Sequence, residues 1–157
     1  MSKTSDKGKY FERVVAKELA KQFNLEYNNN IIRTPNSGGL KYAKGDIQVL
    51  NEYFPFHVEC KFGYSFSLND LINENAKVRK FVEQAVEDNT NKIPIVIVSK
   101  PYYNRYVIIK KEYLNHDNMK ALLALDKPFL LTKDYLCFLL EDLALFYKHN
   151  LFKKGEL

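Results

Sequence analysis

The stretch FHVECKF, residues 56–62, predicts a central β-strand of the fold with a candidate ligand-binding face. Its side chains alternate between apolar and polar, which is the period of a β-strand. The apolar set points to one face, and His57, Glu59 and Lys61 line the other. A carboxylate and an ammonium two residues apart can lie side by side over a common ligand. An ordinary ion pair on a solvent-exposed strand is the alternative that this segment alone leaves open.

A second segment, GDIQV at residues 45–49, predicts a strand immediately before this one. Ile47 and Val49 bury one face, which leaves Asp46 and Gln48 on the other. An aspartate that caps its own turn is the alternative reading. Beside Glu59 on the neighbouring strand, however, Asp46 would form a carboxylate pair able to hold a hard cation through oxygen ligands.

Glu12 is the third acidic candidate, on a helix predicted over residues 9–23 from apolar side chains spaced by four. At 3.6 residues per turn it lies only roughly 20° around the helix from Leu19. Its face is therefore apolar, and a carboxylate that faces a core needs a metal or a cation partner. A glutamate at the helix edge that reaches water is the alternative.

One reaction uses all of these groups. Hydrolysis of a phosphodiester needs an activated water and stabilisation of the charge that grows on the phosphate and the leaving oxygen. One or two Mg²⁺ ions held by two or three carboxylates can supply both. A lysine beside the metal can orient or deprotonate the water and offset phosphate charge.

The rest of the pattern predicts a single mixed α/β domain with a central mixed five-stranded sheet flanked by helices. The predicted elements after the first helix are strands at 31–33, 46–50 and 56–62, a helix over 68–88, strands at 93–98 and 105–110, and helices near 118–125 and 133–148. Residues 1–8 are expected to be a flexible N-terminus and 9–157 a single domain that carries the site. Residues 115–157 are expected to be a helical C-terminal extension, whose apolar stripe is either core or a surface used in dimerisation.

The composition narrows the class of protein and its partners. The 24 Lys and Arg against 19 Asp and Glu give a net charge of +5, which suits a polyanion such as DNA. Two cysteines, no leader and no apolar run of membrane-spanning length predict a reduced, cytoplasmic protein with no membrane contact. No Gly-rich phosphate loop is present, so no nucleotide cofactor is expected. His116 and His149 lack partners at zinc spacing, and His57 is interpreted as a bystander near the site.

Together these motifs resemble the PD-(D/E)XK nuclease superfamily, and the N-terminal half is similar to the archaeal-type Holliday junction resolvases. The matching stretches are residues 7–8, 11–13, 33–39, 45–47 and 58–61. The most specific of them is the Arg-x(3)-Ser-Gly-Gly loop, because most members of the superfamily lack it. The C-terminal part is longer and more apolar than the compact resolvases lead us to expect.

The resemblance implies a role for each matching residue. Asp46, Glu59 and the backbone carbonyl of Cys60 would bind the metal, and Lys61 would be the catalytic lysine. Glu12 would hold or approach a second metal position. The implied cofactor is Mg²⁺, for which Mn²⁺ would substitute.

The resemblance also implies how the substrate is held. Arg13 and Arg33 would contact phosphate, and Ser37 would reach the scissile phosphate when DNA orders its loop. Gln84 would support the site from a helix. Apart from the resemblance, basic residues near the two long helices, among them Lys9 and Lys77, are candidates for a rim that tracks phosphates. A homodimer with two sites would nick two strands of a four-way junction symmetrically.

The sequence therefore predicts a metal-dependent, structure-selective DNA endonuclease, with a Holliday junction resolvase as the preferred reading. A repair, exonuclease-like or restriction-type nuclease is the second reading, and a catalytically silent DNA-binding subunit of the same fold is the third. The expected location is the cytoplasm, or the cytoplasm of a host cell if the protein is viral.

Overall fold

The computed structural model describes residues 3–35, 44–63, 67–73, 76–88 and 91–154. In the N-terminal half, the elements are α1 (Lys3–Gln22), β1 (Ile31–Arg33), β2 (Ile47–Val49), β3 (Phe56–Phe62), α2 (Leu68–Ile72) and α3 (Ala76–Glu87). In the C-terminal half, they are β4 (Ile93–Ser99), β5 (Tyr106–Lys110), α4 (Lys120–Ala124), β6 (Phe129–Leu131), β7 (Tyr135–Leu139) and α5 (Leu143–Lys148). Three short 3₁₀ turns lie at Lys111–Tyr113, His116–Asn118 and Leu140–Asp142.

The predicted α/β domain with a mixed five-stranded sheet is confirmed. The strand order is β3-β4-β5-β7-β6, in which β3 and β4 run parallel and the other neighbours run antiparallel. The strands β1 and β2 form a separate antiparallel pair. The sheet thus includes two strands from the C-terminal part of the chain that the sequence did not predict.

Both faces of the sheet are buried, and each side chain's position along its strand decides which face it joins. In β4, Ile95 and Ile97 pack into the cluster that includes α1, whereas Val96 and Val98 pack into the cluster that includes α3. In β3, the apolar residues face α1 and the polar residues face α3. Because a helix covers that polar face, it is not the solvent-exposed face of the alternative reading.

The helix predicted over 133–148 is wrong in its first half. Tyr135 and Cys137 pack on the α3 side of the sheet, and Leu136 and Phe138 pack on the α1 side, so the segment is the strand β7. A strand that is buried on both faces is apolar throughout and therefore also satisfies the spacing of an apolar helix. The stripe in this segment is therefore core, the first of the two alternatives that the sequence left open.

Two other helix predictions need correction. The helix α1 begins at Lys3 rather than at residue 9, so residues 3–8 of the expected flexible N-terminus are helical. Asp6 lies in its first turn, where a negative charge is favourable beside the helix dipole. The single helix over 68–88 is two helices, because α2 ends at Ile72 with Asn73 as its cap.

One glutamine ties the C-terminal segment to α1. The Gln22 side chain donates to the carbonyl of Leu140 at 2.8 Å and accepts from the backbone N–H of Ala144 at 3.0 Å. These bonds satisfy backbone groups where α5 begins, where a helix leaves N–H groups without internal partners.

The two cysteines are free and buried, on opposite faces of the sheet. Among the described residues, no helix combines the length and apolar character that crossing a bilayer requires.

Gly45 has a conformation and an environment that exclude a side chain. Its φ is +77°, and a Cβ there would lie 2.8 Å from Cε1 of His57 and 3.0 Å from the carbonyl oxygen of Val58. Gly63 has a similar φ of +78°, but a Cβ there would meet nothing within 4 Å. An alanine at either position would be strained by the left-handed backbone, but only an alanine at Gly45 would also clash with its neighbours. Comparing the two substitutions therefore distinguishes the two costs.

Gly45→Ala is expected to lower the free energy of unfolding by about 2–4 kcal/mol, because left-handed strain adds to overpacking against His57. Gly63→Ala should lower it by about 1–2 kcal/mol through strain alone. Urea unfolding of both variants and the parent measures the difference. Equal losses at the two positions would show that the close approach at Gly45 has no energetic consequence.

Candidate active site

The C-terminal half of β3 presents a carboxylate and an ammonium side by side. The Nζ of Lys61 lies 3.9 Å from Oε2 of Glu59 and donates a hydrogen bond of 3.0 Å to Oε1 of Gln84 on α3. The same Nζ lies 5.4 Å from the ring centroid of Phe81, also on α3. A carboxylate, an amide oxygen and an aromatic face thus hold the ammonium in one place.

Asp46 is fixed against the backbone of β3. Its N–H donates to the carbonyl of Val58 at 3.0 Å, and its carbonyl accepts from Thr34 at 2.9 Å. Its Oδ2 accepts a 2.7 Å hydrogen bond from the N–H of Cys60, the residue after Glu59. The side chain therefore bonds to the neighbouring strand and does not cap its own turn.

Glu12 reaches the same region from α1. Its Oε2 accepts a 2.5 Å hydrogen bond from Nε of Arg33, which lies on β1. Burial raises the pKa of Glu12, the Asp46 carboxylate raises it further, and Arg33 opposes both effects. Arg33 is thus the cation partner that the Glu12 carboxylate needs on an apolar helix face.

Glu59 is the most perturbed carboxyl group of the cluster. It is only 5% exposed. Burial, followed by the nearby Asp46 carboxylate, raises its pKa to about 8, and Lys61 acts in the opposite direction. Three acidic groups share a desolvated corner, an arrangement that a divalent cation stabilises. Their donor set is all oxygen, which suits a hard cation.

The chain matches a protein family across nearly its whole length. Residues 3–153 match the family described as "Phage putative PDDEXK endonuclease". The chain belongs to this family. The match supports the predicted superfamily, whereas the likeness to archaeal resolvases stays a prediction. No curated protein and no solved structure gives a match.

Asp46 and the Glu-x-Lys triplet of Glu59 and Lys61 fit the letters of the PDDEXK name, and their role in the reaction stays a prediction. Gly45 stands where the family letters have proline. Proline holds φ near −65°, so it could not adopt the +77° that this position has here.

The other predicted residues of this PDDEXK chain are distributed around the site. Arg33 pairs with Glu12, and Lys9 lies close enough to lower the pKa of Glu12. Lys77 lies on α3, the helix that provides Gln84. Ser37 lies outside the described residues, so its predicted role remains a prediction.

Arg13 is not part of the carboxylate cluster. It lies on the exposed outer side of α1 and lines a groove. The cationic residues of that groove are Arg13, Lys17, Lys21 and Arg105. The groove therefore offers positive charge on the same helix that carries Glu12.

The structure adds one residue to the neighbourhood of the site that the sequence reading did not select. Oδ2 of Asp88 lies 2.8 Å from Nε2 of His57, and that nitrogen lies 3.9 Å from Oε1 of Glu59. His57 is 6% exposed and the Asp88 side chain is 29% exposed, so the contact lies at the edge of the buried region. Asp88 follows the end of α3, and the sequence carries no spacing signal that connects it to β3.

The perturbed pKa of Glu59 makes the stability of the metal-free protein depend on pH. The pKa is about 8 in the folded protein and 4.5 ordinarily, so the folded state holds the proton more tightly. The stabilisation is complete below about pH 4.5 and is lost as the pH rises through about 8. Relative to Glu59→Gln, which does not titrate, the melting temperature of the parent should fall between about pH 5 and pH 8.5.

Thermal melts of both proteins in the presence of a chelator measure this effect. A constant difference in melting temperature across the range would show that Glu59 titrates normally.

Proposed function

We propose that the protein is a divalent-metal-dependent DNA endonuclease that hydrolyses phosphodiester bonds, with branched DNA such as four-way junctions as its preferred substrate. The observation that supports the chemistry is the convergence of Asp46, Glu59 and Lys61 at one end of β3. Membership of a PDDEXK family supports the same reaction class.

In this proposal Asp46, Glu59 and the carbonyl of Cys60 would hold Mg²⁺, and Glu12 would approach a second position. The crowding of buried acidic groups that raises the pKa of Glu59 supports this assignment, because a cation removes that penalty. A bound divalent ion would supply charge stabilisation at the phosphate and a more acidic water. Mn²⁺ should substitute, and Ca²⁺ should bind without supporting cleavage.

Lys61 would act directly on the reacting groups. Its ammonium is oriented by Gln84 and by the ring of Phe81, so little conformational entropy remains to be lost when substrate binds. From this position it can donate a hydrogen bond to the attacking water or to a phosphate oxygen. Gln84 would be a positioning residue, since its bond to Lys61 holds the ammonium in place.

Binding of DNA would come mainly from contacts to phosphates. The net charge of +5 and the basic groove on α1, which Arg13 lines, favour a polyanion. On α1, Glu12 faces the carboxylate cluster and the basic residues face outward. A single DNA strand could therefore contact both the cluster and the basic groove. Lys9, Arg33 and Lys77 are further proposed phosphate contacts. Since no base-reading helix is evident in the sequence, shape is the expected basis of selection.

The description of the family names phage, which supports a proposal about the biological setting. We place the activity in the host-cell cytoplasm, on branched intermediates of recombination, repair or replication. A homodimer would give the two sites that symmetric nicking of a junction requires.

Glu59→Gln, Asp46→Asn and Lys61→Ala are each expected to slow cleavage at least about 10²–10³-fold, because each removes charge that the transition state needs. Glu52→Gln is the matched control, since Glu52 is exposed in the turn before β3. Single-turnover rates in Mg²⁺ measure the effect. If Glu59→Gln cuts as fast as the parent, the assignment of the site is wrong.

Synthetic four-way junctions should be nicked faster than linear duplexes of the same sequence, in paired symmetric positions, with Mg²⁺ or Mn²⁺ and not with Ca²⁺. Gel analysis of labelled strands distinguishes the rivals. Digestion from ends indicates an exonuclease, and cuts at a fixed sequence indicate a restriction-type enzyme. Tight binding without cleavage in either Mg²⁺ or Mn²⁺ would contradict the endonuclease proposal and favour a silent subunit.

A further inference from the structure

A second group of potential metal ligands lies beside the proposed catalytic centre, on the other side of Glu59. It consists of His57 and Glu59 from β3 and Asp88 from the end of α3. Each offers one ligand atom, and these atoms all lie within 4.8 Å of one another. His57 and Glu59 are 6% and 5% exposed, so two of the three ligands are already removed from bulk water.

We propose that His57, Glu59 and Asp88 form a binding site for a divalent transition-metal ion of the Zn²⁺ class, distinct from the Mg²⁺ position at Asp46 and Glu59. Ligands at about 2.0–2.1 Å from a tetrahedral ion are roughly 3.3 Å apart. The Nε2 of His57 lies 2.8 Å from Oδ2 of Asp88 and 3.9 Å from Oε1 of Glu59. These separations bracket the required one, so small side-chain shifts suffice to admit an ion.

The surroundings of the three ligands favour an ion at this place. The Nδ1 and Cε1 edge of the His57 ring packs against Gly45, which directs Nε2 toward the two carboxylates. The backbone carbonyl of Asp88 accepts a hydrogen bond from Nζ of Lys44, so the position of Asp88 is supported from outside the cluster. The Asp88 side chain remains 29% exposed, which provides a route of entry from solvent.

The donor types separate this site from the neighbouring one. Imidazole nitrogen with two carboxylates suits Zn²⁺ and Co²⁺, whereas Mg²⁺ prefers oxygen donors and keeps much of its water. The two sites share Glu59, whose Oε1 faces His57 and whose Oε2 faces Lys61. An ion bound by His57 therefore draws on a carboxylate that the Mg²⁺ position also needs. This expectation rests on the proposed nuclease function: Zn²⁺ bound at this site should inhibit Mg²⁺-supported cleavage.

The site is tested by titrating Co²⁺, whose visible absorption reports its coordination, into the metal-free 157-residue chain. The parent should bind Co²⁺, and Zn²⁺ should displace it more readily than excess Mg²⁺ does. His57→Gln and Asp88→Asn should each weaken binding at least about tenfold, a loss typical of an impaired metal site. His116→Gln is the matched control because His116 is exposed on a 3₁₀ turn. Asp46→Asn should slow cleavage at least about 10²–10³-fold and retain Co²⁺ binding.

Asp88→Asn keeps the test decisive if His57→Gln does not fold, because Asp88 is partly exposed beyond the end of α3. Unchanged Co²⁺ affinity in Asp88→Asn, or in a folded His57→Gln, overturns the proposal and leaves a simple histidine–carboxylate hydrogen bond. A strong thiolate band in the near ultraviolet would place the ion on a cysteine and overturn it as well. If the parent protein binds Co²⁺ through these residues but shows no nuclease activity, the metal site stands and the proposed function is wrong.

Discussion

The burial of Glu59 under α3 is the constraint on which the arrangement of the site depends. A carboxylate that is 5% exposed needs compensating charge or a proton, and burial accordingly raises the pKa of Glu59 to about 8. The surrounding groups are consistent with this requirement. Lys61 lies beside Glu59, while Arg33 neutralises the second carboxylate, Glu12. The acidic corner is therefore partly compensated, and a cation would complete the compensation.

The topology explains why a helix covers this face. The parallel strands β3 and β4 need a crossover connection, and α2 and α3 provide it. A crossover helix packs on the sheet, so α3 lies over the polar side of β3. Gln84 and Asp88 are four residues apart along the chain, as are their partners Lys61 and His57. Four residues span a greater distance along a strand than along a helix, so the two pairs cannot both lie directly opposite each other. The long side chain of Lys61 covers the difference by reaching back to Gln84.

Two groups of potential metal ligands meet at β3. The carboxylates of Asp46, Glu59 and Glu12 form a donor set of oxygen only, whereas His57 adds a nitrogen donor on the opposite side of Glu59. Gly45 makes this possible at close quarters, since any side chain there would occupy the space of the His57 ring. The backbone conformation of one residue thus positions Asp46 and leaves room for His57.

The sequence by itself determined the features that depend on local pattern. The period-two alternation of residues 56–62 defined β3 and its polar face, and the mixed α/β class followed from the order of elements. Asp46, Glu59 and Lys61 were selected as one group because their chemical types fit phosphodiester hydrolysis. The family match supports the PD-(D/E)XK superfamily that this group predicted.

The tertiary structure decided what local pattern cannot encode. Residues 135–139 form a buried strand because both of their faces meet core, a fact that apolar spacing alone does not reveal. The crossover from β3 to β4 places Asp88 beside His57. The packing of β1 beside α1 places Arg33 beside Glu12. Long-range contacts of this kind depend on how elements pack in space. Residue type and spacing along the chain therefore identified the chemistry, and packing determined which charges lie together.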